Sequence, residues 1–287
     1  MGMKPSNSNQ INERFNPLND YLFFKVMGEK GCEVQLLGFL NAVLGHSGKE
    51  PLQSVEILEN QSFITDIMSG KSCVLDVLAV LSEGTKVNIE IQLSNQRNMD
   101  RRSLYYWSKV YFESLGEGSD YRELPNVIAI NIVDFNFPPE GSVHTSFKLR
   151  ETLDPSLILS NALEIHFINM VKWRKEDAKD IKNNPLHRWL TWFDDRSPSD
   201  LVAKVVSMDS AIKAANERQT YVTQDDEARR VYWSRRKAEH DLISGLNYAR
   251  EEVKIAIARN LLEEGLTIEF VQKTTGLDKE TIQGLSG

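Results

Sequence analysis

The sequence predicts an α/β fold: a mixed central sheet flanked by helices, followed by a helical C-terminal region. Three observations carry this. Residues 53–93 read as strands, because β-branched and apolar runs are separated by short turn signals. Residues 126–134 form a nearly continuous apolar run, suited to a strand buried on both faces. Helical periodicity precedes the strands, interrupts them once and dominates after residue 170, and this order gives a layered α/β or α+β domain.

Taken in order, residues 1–15 are polar and carry no periodic signal. From Pro17 the pattern is helical: Asp20 to Met27, then Val34, Leu37, Leu40, Val43 and Leu44 at steps of three and four, with Gly45 placed as a terminating glycine. The interruption at Gly28 to Gly31 predicts two helices or one broken helix. The period then changes to that of strands at 54–58, 73–81 and 86–93. Ser82-Glu83-Gly84-Thr85 fits a short hairpin loop, with Gly84 available for a positive φ angle. Arg97 to Leu115 follows as a helix with Leu104, Trp107, Val110, Tyr111 and Ser114 on one face and Gly116 as its stop. Strands are expected at 126–134 and 163–168.

Residues 170–247 read as mostly helical. Within them Trp189, Trp192 and Phe193 suit core packing, and Arg229, Arg230, Arg235, Arg236 and Lys237 suit a solvated helix face. A helix from Glu251 to Glu264 ends at Gly265, another from Ile268 to Thr275 ends at Gly276, and Asp278 can cap a third over 279–285. The last two have helix-turn-helix spacing. Only Lys279, Glu280, Thr281 and Gln283 give the final helix polar reach, so sequence readout and a packing or oligomerisation role both stay open. The expected organisation is a core at 15–195, a helical extension at 196–247 and a helical tail at 248–287.

Composition limits the function. The 287 residues carry 34 Lys and Arg against 41 Asp and Glu, a formal charge of -7, with 26% charged and 41% hydrophobic residues. That is globular composition, with length enough for a core that needs no staple. The acidic total argues against a chain coated for indiscriminate phosphate binding but leaves room for a local basic groove. No run approaches the ~18 apolar residues of a membrane span, and the N-terminus lacks the apolar stretch of a secretory signal, so the expected address is the cytoplasm with no membrane partner. Cys32 and Cys73 read as reduced core residues, and the five scattered histidines show no HExxH or HxxxH spacing.

The candidate chemistry lies in the hairpin. Asp76 is flanked by Leu75 and Val77, and Glu90 by Ile89 and Ile91. A buried carboxylate must be paired, hydrogen-bonded or bound to a cation, and two close together repel unless a cation lies between them. Hard oxygen ligands suit Mg²⁺ or Mn²⁺. The outcome depends on register. With a three-residue loop at Glu83-Gly84-Thr85, Asp76 lies opposite Gln92 and Leu78 opposite Glu90, with all the polar groups on one surface; a two-residue loop separates them. Spacing alone equally allows both carboxylates to sit on a solvated hairpin face, since Lys86 and Asn88 share the face of Glu90.

The segments NDYLFFK at 19–25, VLDVLA at 74–79, NIEIQL at 88–93, RSLYYWS at 102–108 and ARNLLEEG at 258–265 together resemble the PD-(D/E)XK nuclease family transposases, also called the Rpn family of recombination-promoting nucleases. The resemblance covers roughly 15–285 in the expected order. It implies a restriction-endonuclease-like core and metal-dependent hydrolysis of DNA, associated with recombination or a mobile element. By the same resemblance Asp76, Glu90 and the carbonyl of Ile91 would hold Mg²⁺ or Mn²⁺, with Gln92 in the place of the wider superfamily's lysine. Glutamine carries no charge and cannot act as a base, so it can orient water or a phosphate oxygen only. Asp20 matches the family's polar position on the first helix and is a candidate for metal contact through water. Arg102 and Tyr106, four apart on one helix face, are candidates for phosphate contact. The alternative is a non-catalytic DNA-binding or assembly protein on the same scaffold; on either reading the expected partners are DNA and a second copy of the chain in a homo-oligomer.

Overall fold

In a computed structural model, residues 14–58 and 77–285 are described, and they divide between two compact units that meet at Tyr232 and Trp233 in the chain. The first unit holds a six-stranded sheet of order β1-β2-β3-β4-β6-β5. Its strands are β1 Val55–Ile57, β2 Val77–Leu81, β3 Lys86–Gln92, β4 Val127–Val133, β5 His144–Arg150 and β6 Ile158–Asn169. β1, β2 and β3 form an antiparallel meander, β3, β4 and β6 are parallel, and β5 returns antiparallel along the far edge. The mixed sheet expected from sequence is therefore present.

Alternation along the strands sorts the two faces. Val77, Ala79 and Leu81 of β2, Val87, Ile89 and Ile91 of β3, and Ile128, Ile130 and Ile132 of β4 join the larger core. This core is covered by α1 Asp20–Phe23, the π-helical turn Phe24–Gly28, α2 Glu33–His46, α5 Pro185–Phe193, α6 Ser199–Met208 and α7 Ser210–Gln224. Asn19 starts α1 by accepting from the Leu22 N–H at 3.2 Å, the service an N-cap amide oxygen performs for an orphan donor. Trp189, Trp192 and Phe193 are fully buried here, as their apolar spacing predicts. Cys32 is buried with a free thiol; Cys73 lies outside the described residues.

The other face is covered by α3 Met99–Phe112. Leu78 and Val127 pack under Tyr106 and Val110, and Ala129, Val133, Ile165 and Phe167 pack with Met99. α4 Met170–Arg174 follows β6 directly.

Three local expectations need correction. The hairpin turn is Ser82-Glu83-Gly84, closed by Leu81 N–H donating to Thr85 O at 2.9 Å, with Gly84 at φ 85°. It sits one residue earlier than read from sequence, so the ladder shifts by two and Leu78 pairs with Asn88, not Glu90. Strand β5 and the first half of β6, absent from the sequence reading, form a hairpin that is exposed from Leu149 to Asn161. The two helices expected on either side of residues 248–250 are one, α8 Asp226–Glu263.

In the second unit, the end of α8 packs with α9 Ile268–Thr275 and α10 Lys279–Gly284 through Ala258, Val271, Leu277 and Ile282. Thr267 and Asp278 cap the two short helices, and Gly276 ends α9 in the left-handed region at φ 69°, as the cap and stop signals predict. No described helix is long and apolar enough to cross a membrane.

Candidate active site

β3 sets the candidate residues by simple alternation: Asn88, Glu90 and Gln92 point to the α3 side, while Ile89 and Ile91 enter the larger core. Glu90 is only 4% exposed and Asn88 is completely buried, so the solvated-face alternative for Glu90 is excluded. The Glu90 carboxylate accepts from Asn88 Nδ2 at 3.4 Å. Arg102, near the start of α3, brings Nη2 to 3.9 Å from Glu90 Oε2. The same guanidinium lies over the Tyr106 ring at 4.7 Å. A cation thus faces a buried carboxylate, the arrangement that burial of charge demands.

Asn88 adds something that sequence reading passed over as a mere neighbour on the face. Its Oδ1 is buried and has no hydrogen-bond partner among the described residues. An orphaned acceptor costs roughly 1–3 kcal/mol, and such groups mark strain or an absent partner. Beside Glu90, it supplies a second oxygen donor of the hard type that Mg²⁺ or Mn²⁺ takes. One rung across the parallel ladder, Asn131 pairs with Glu90 and donates its Nδ2 to His166 O at 3.1 Å.

The remaining candidates fall as follows. Gln92, half-buried at the end of β3, donates Nε2 to Ser94 O at 3.0 Å. Ile91 is buried, side chain inward. Asp20 is exposed at the first turn of α1, where its Oδ1 accepts from the Tyr21 N–H at 2.7 Å. Tyr106 is 8% exposed and serves as the platform under Arg102. Asp76 lies outside the described residues, one position before β2. Among the described residues no group of three or more His, Cys, Asp or Glu side chains could hold a metal ion. Glu90 and Asn88 place one carboxylate and one amide oxygen among the buried polar groups of this face, oxygen atoms of the chemical type a hard divalent cation takes.

A polar network of another kind lies on the opposite face. His144 Nε2 meets His166 Nδ1 at 2.9 Å, and His166 Nε2 meets Glu164 Oε1 at 3.0 Å. Lys49 closes on Glu164 Oε2 at 2.6 Å, with Lys148 at 3.6 Å. Burial and the neighbouring His166 and His46 push the His144 imidazole down to about 3. Burial raises the Glu164 carboxyl, but hydrogen bonds from His166 and Lys49 outweigh it and bring it to about 2.

No curated protein and no solved structure matches the chain. Residues 251–287 match the C-terminal helix-turn-helix domain of the Rpn/YhgA-like nuclease family, over the same helices whose caps and glycine stops are described above. Residues 17–249 match the family described as PD-(D/E)XK nuclease family transposase. With the mixed sheet, the buried Glu90 on its third strand and a match across most of its length, the chain belongs to the PD-(D/E)XK nuclease family transposases.

Proposed function

We propose that this chain is a cytoplasmic, divalent-metal-dependent DNA endonuclease that serves recombination or a mobile element, cutting phosphodiester bonds at the Glu90 face of the sheet. The observation that carries it is the buried Glu90 carboxylate, contacted by Asn88 Nδ2 and faced by the Arg102 guanidinium. We further propose that Asp76 joins Glu90 in this site. Asp76, Glu90 and the Ile91 carbonyl would then hold Mg²⁺ or Mn²⁺, with Asp20 reaching it through water. When bound, such an ion lowers the pKa of water and offsets charge developing on the phosphate.

The chain's own groups do the rest. Glu90 and Asp76 fix the position of the reacting centre. Gln92 uses its amide to orient water or a phosphate oxygen, and Arg102 neutralises a phosphate while its plane stays fixed on Tyr106. The helix-turn-helix unit would grip duplex DNA.

Plasmid incubated with the purified protein and Mg²⁺ is expected to be nicked or linearised, and Asp76→Ala or Glu90→Ala to abolish this. Undiminished cleavage by the double variant would overturn the assignment. One observation favours a non-catalytic DNA-binding or assembly protein instead. Gln92 is neutral and its amide is already engaged by Ser94 O, so the superfamily's cationic group is missing. Calorimetry showing no heat with Mg²⁺ or Mn²⁺, even with DNA present, would support that second reading.

A further inference from the structure

α3 carries more than Arg102. The contacts step outward from the carboxylate: Arg102 reaches Glu90 at 3.9 Å and covers Tyr106, and Tyr106 meets the Tyr105 ring edge-on at 5.8 Å. Tyr105 is 51% exposed, and Leu104 and Phe112 continue an apolar outer face along the helix, Phe112 being 81% exposed. Tyrosine rings are enriched at interfaces because they join a large apolar face to a polar tip, and here Tyr105 lies in ring contact with the residue that supports Arg102. Arg97, Arg101 and Arg102 cluster at the same end of the helix, with Asp100 as the one acid among them, so the local balance is cationic. Cations that track a backbone next to rings that can take a base are the two parts of a single-strand binding surface.

We propose that the outer face of α3 stacks unpaired bases, with Tyr105 as the principal platform, so that the Glu90 site prefers DNA with a single-stranded or frayed segment, including the transiently unwound stretches of a supercoiled plasmid, over relaxed and fully paired duplex. This rests on the nuclease reading above. Inside a duplex both faces of each base are covered by neighbours, so an exposed ring gains a base only where the strand is unpaired. Charge complementarity and continuity with Arg102 single out a nucleic acid strand over an apolar protein partner for this face.

The test measures binding without chemistry. Fluorescence anisotropy in EDTA compares a labelled DNA strand of about 20 nucleotides, long enough to span such a site, with the same strand annealed to its complement, using the full-length protein. Tyr105→Ala is expected to weaken single-strand binding on the order of tenfold and to leave duplex binding unchanged. Tyr105→Trp restores it, and Phe112→Ala gives a smaller loss. Because both side chains are exposed, circular dichroism and melting should match wild type. Equal loss on both probes, or no loss on the single strand, overturns the proposal. So does a wild-type dimer that Tyr105→Ala converts to monomer with single-strand affinity intact, since a second copy would then be the occupant. Plasmid cleavage surviving Glu90→Ala would instead refute the catalytic site while leaving the anisotropy result standing.

Discussion

Glu90 is almost fully buried, with the Arg102 guanidinium at 3.9 Å and Asn88 Nδ2 at 3.4 Å among its partners, and a carboxylate held there depends on such compensation. If a divalent cation completes the site, binding must stabilise the folded state by RT ln(1 + [L]/Kd). At a free Mg²⁺ concentration about ten times Kd this is about 1.4 kcal/mol, or a rise of about 3–5 °C in melting temperature for a unit of this size. The expected outcome is a Mg²⁺-dependent shift in wild type that Glu90→Gln lacks, each shift being measured against the same protein's metal-free melting; equal shifts in both would count against Glu90 as a ligand. Sequence alternation was enough to place Asn88, Glu90 and Gln92 on one face, because a strand has only two faces. It could not show that Asn88 Oδ1 is left without a partner, since that depends on what α3 brings overhead. Nor could it choose the register: moving the turn by one residue keeps the parity and slides the partners by two. Tyr106 was legible as a neighbour of Arg102 four residues on, but not as its buried stacking platform.

Among the elements, the approach of α2 to α7 depends on Gly38. A Cβ at Gly38 would collide with the Ala211 Cβ and touch Trp189 Cζ2 at 3.5 Å. Glycine inside a helix normally costs about 1 kcal/mol relative to alanine, so Gly38→Ala would stabilise an isolated α2. In this packing the clash wins, and the substitution is expected to lower the melting temperature by about 5 °C, taking net overpacking of about 1–3 kcal/mol. Ala211→Gly removes the obstacle, so the double variant should recover most of the loss that Gly38→Ala causes in the Ala211→Gly background's absence. A double-mutant cycle with no coupling would show that the helices simply move apart. Other elements were legible in proportion to how much core they touch. The buried β4 announced itself by composition. The β5–β6 hairpin did not, because from Leu149 to Asn161 it is exposed throughout and has no core face to impose alternation. α8 runs through Gly245 and Asn247 because one glycine costs a long helix too little to end it.

For the whole molecule, the sheet's far edge should make acid the condition that unfolds it. His144 and His166 stack at 5.1 Å with His46 at 5.2 Å from His144, while Lys49 and Lys148 face Glu164. The histidine has a folded value of about 3 against 6.5. Between those values the unfolded chain holds a proton that the folded chain refuses, so stability falls as pH drops from 6.5 towards 3. Glu164 acts in the same direction lower down, since its folded value of about 2 lies below 4.5 and its contribution is lost between them as the pH falls. Asp195, whose carboxyl burial raises, works the other way and offsets part of this. Urea midpoints measured against pH should therefore hold level above about 6.5 and decline below it. The slope contributed by His144 alone can reach about 1.4 kcal/mol per pH unit. His144→Phe keeps a ring against His166 but takes up no proton on unfolding, so it should flatten the decline between pH 6.5 and 4.5 and leave the steeper part below 4.5, which Glu164→Gln should then reduce. A wild-type curve that stays level down to pH 4.5, or a His144→Phe curve parallel to it, would mean that the buried chain from His144 to Glu164 does not set the acid limit of this fold.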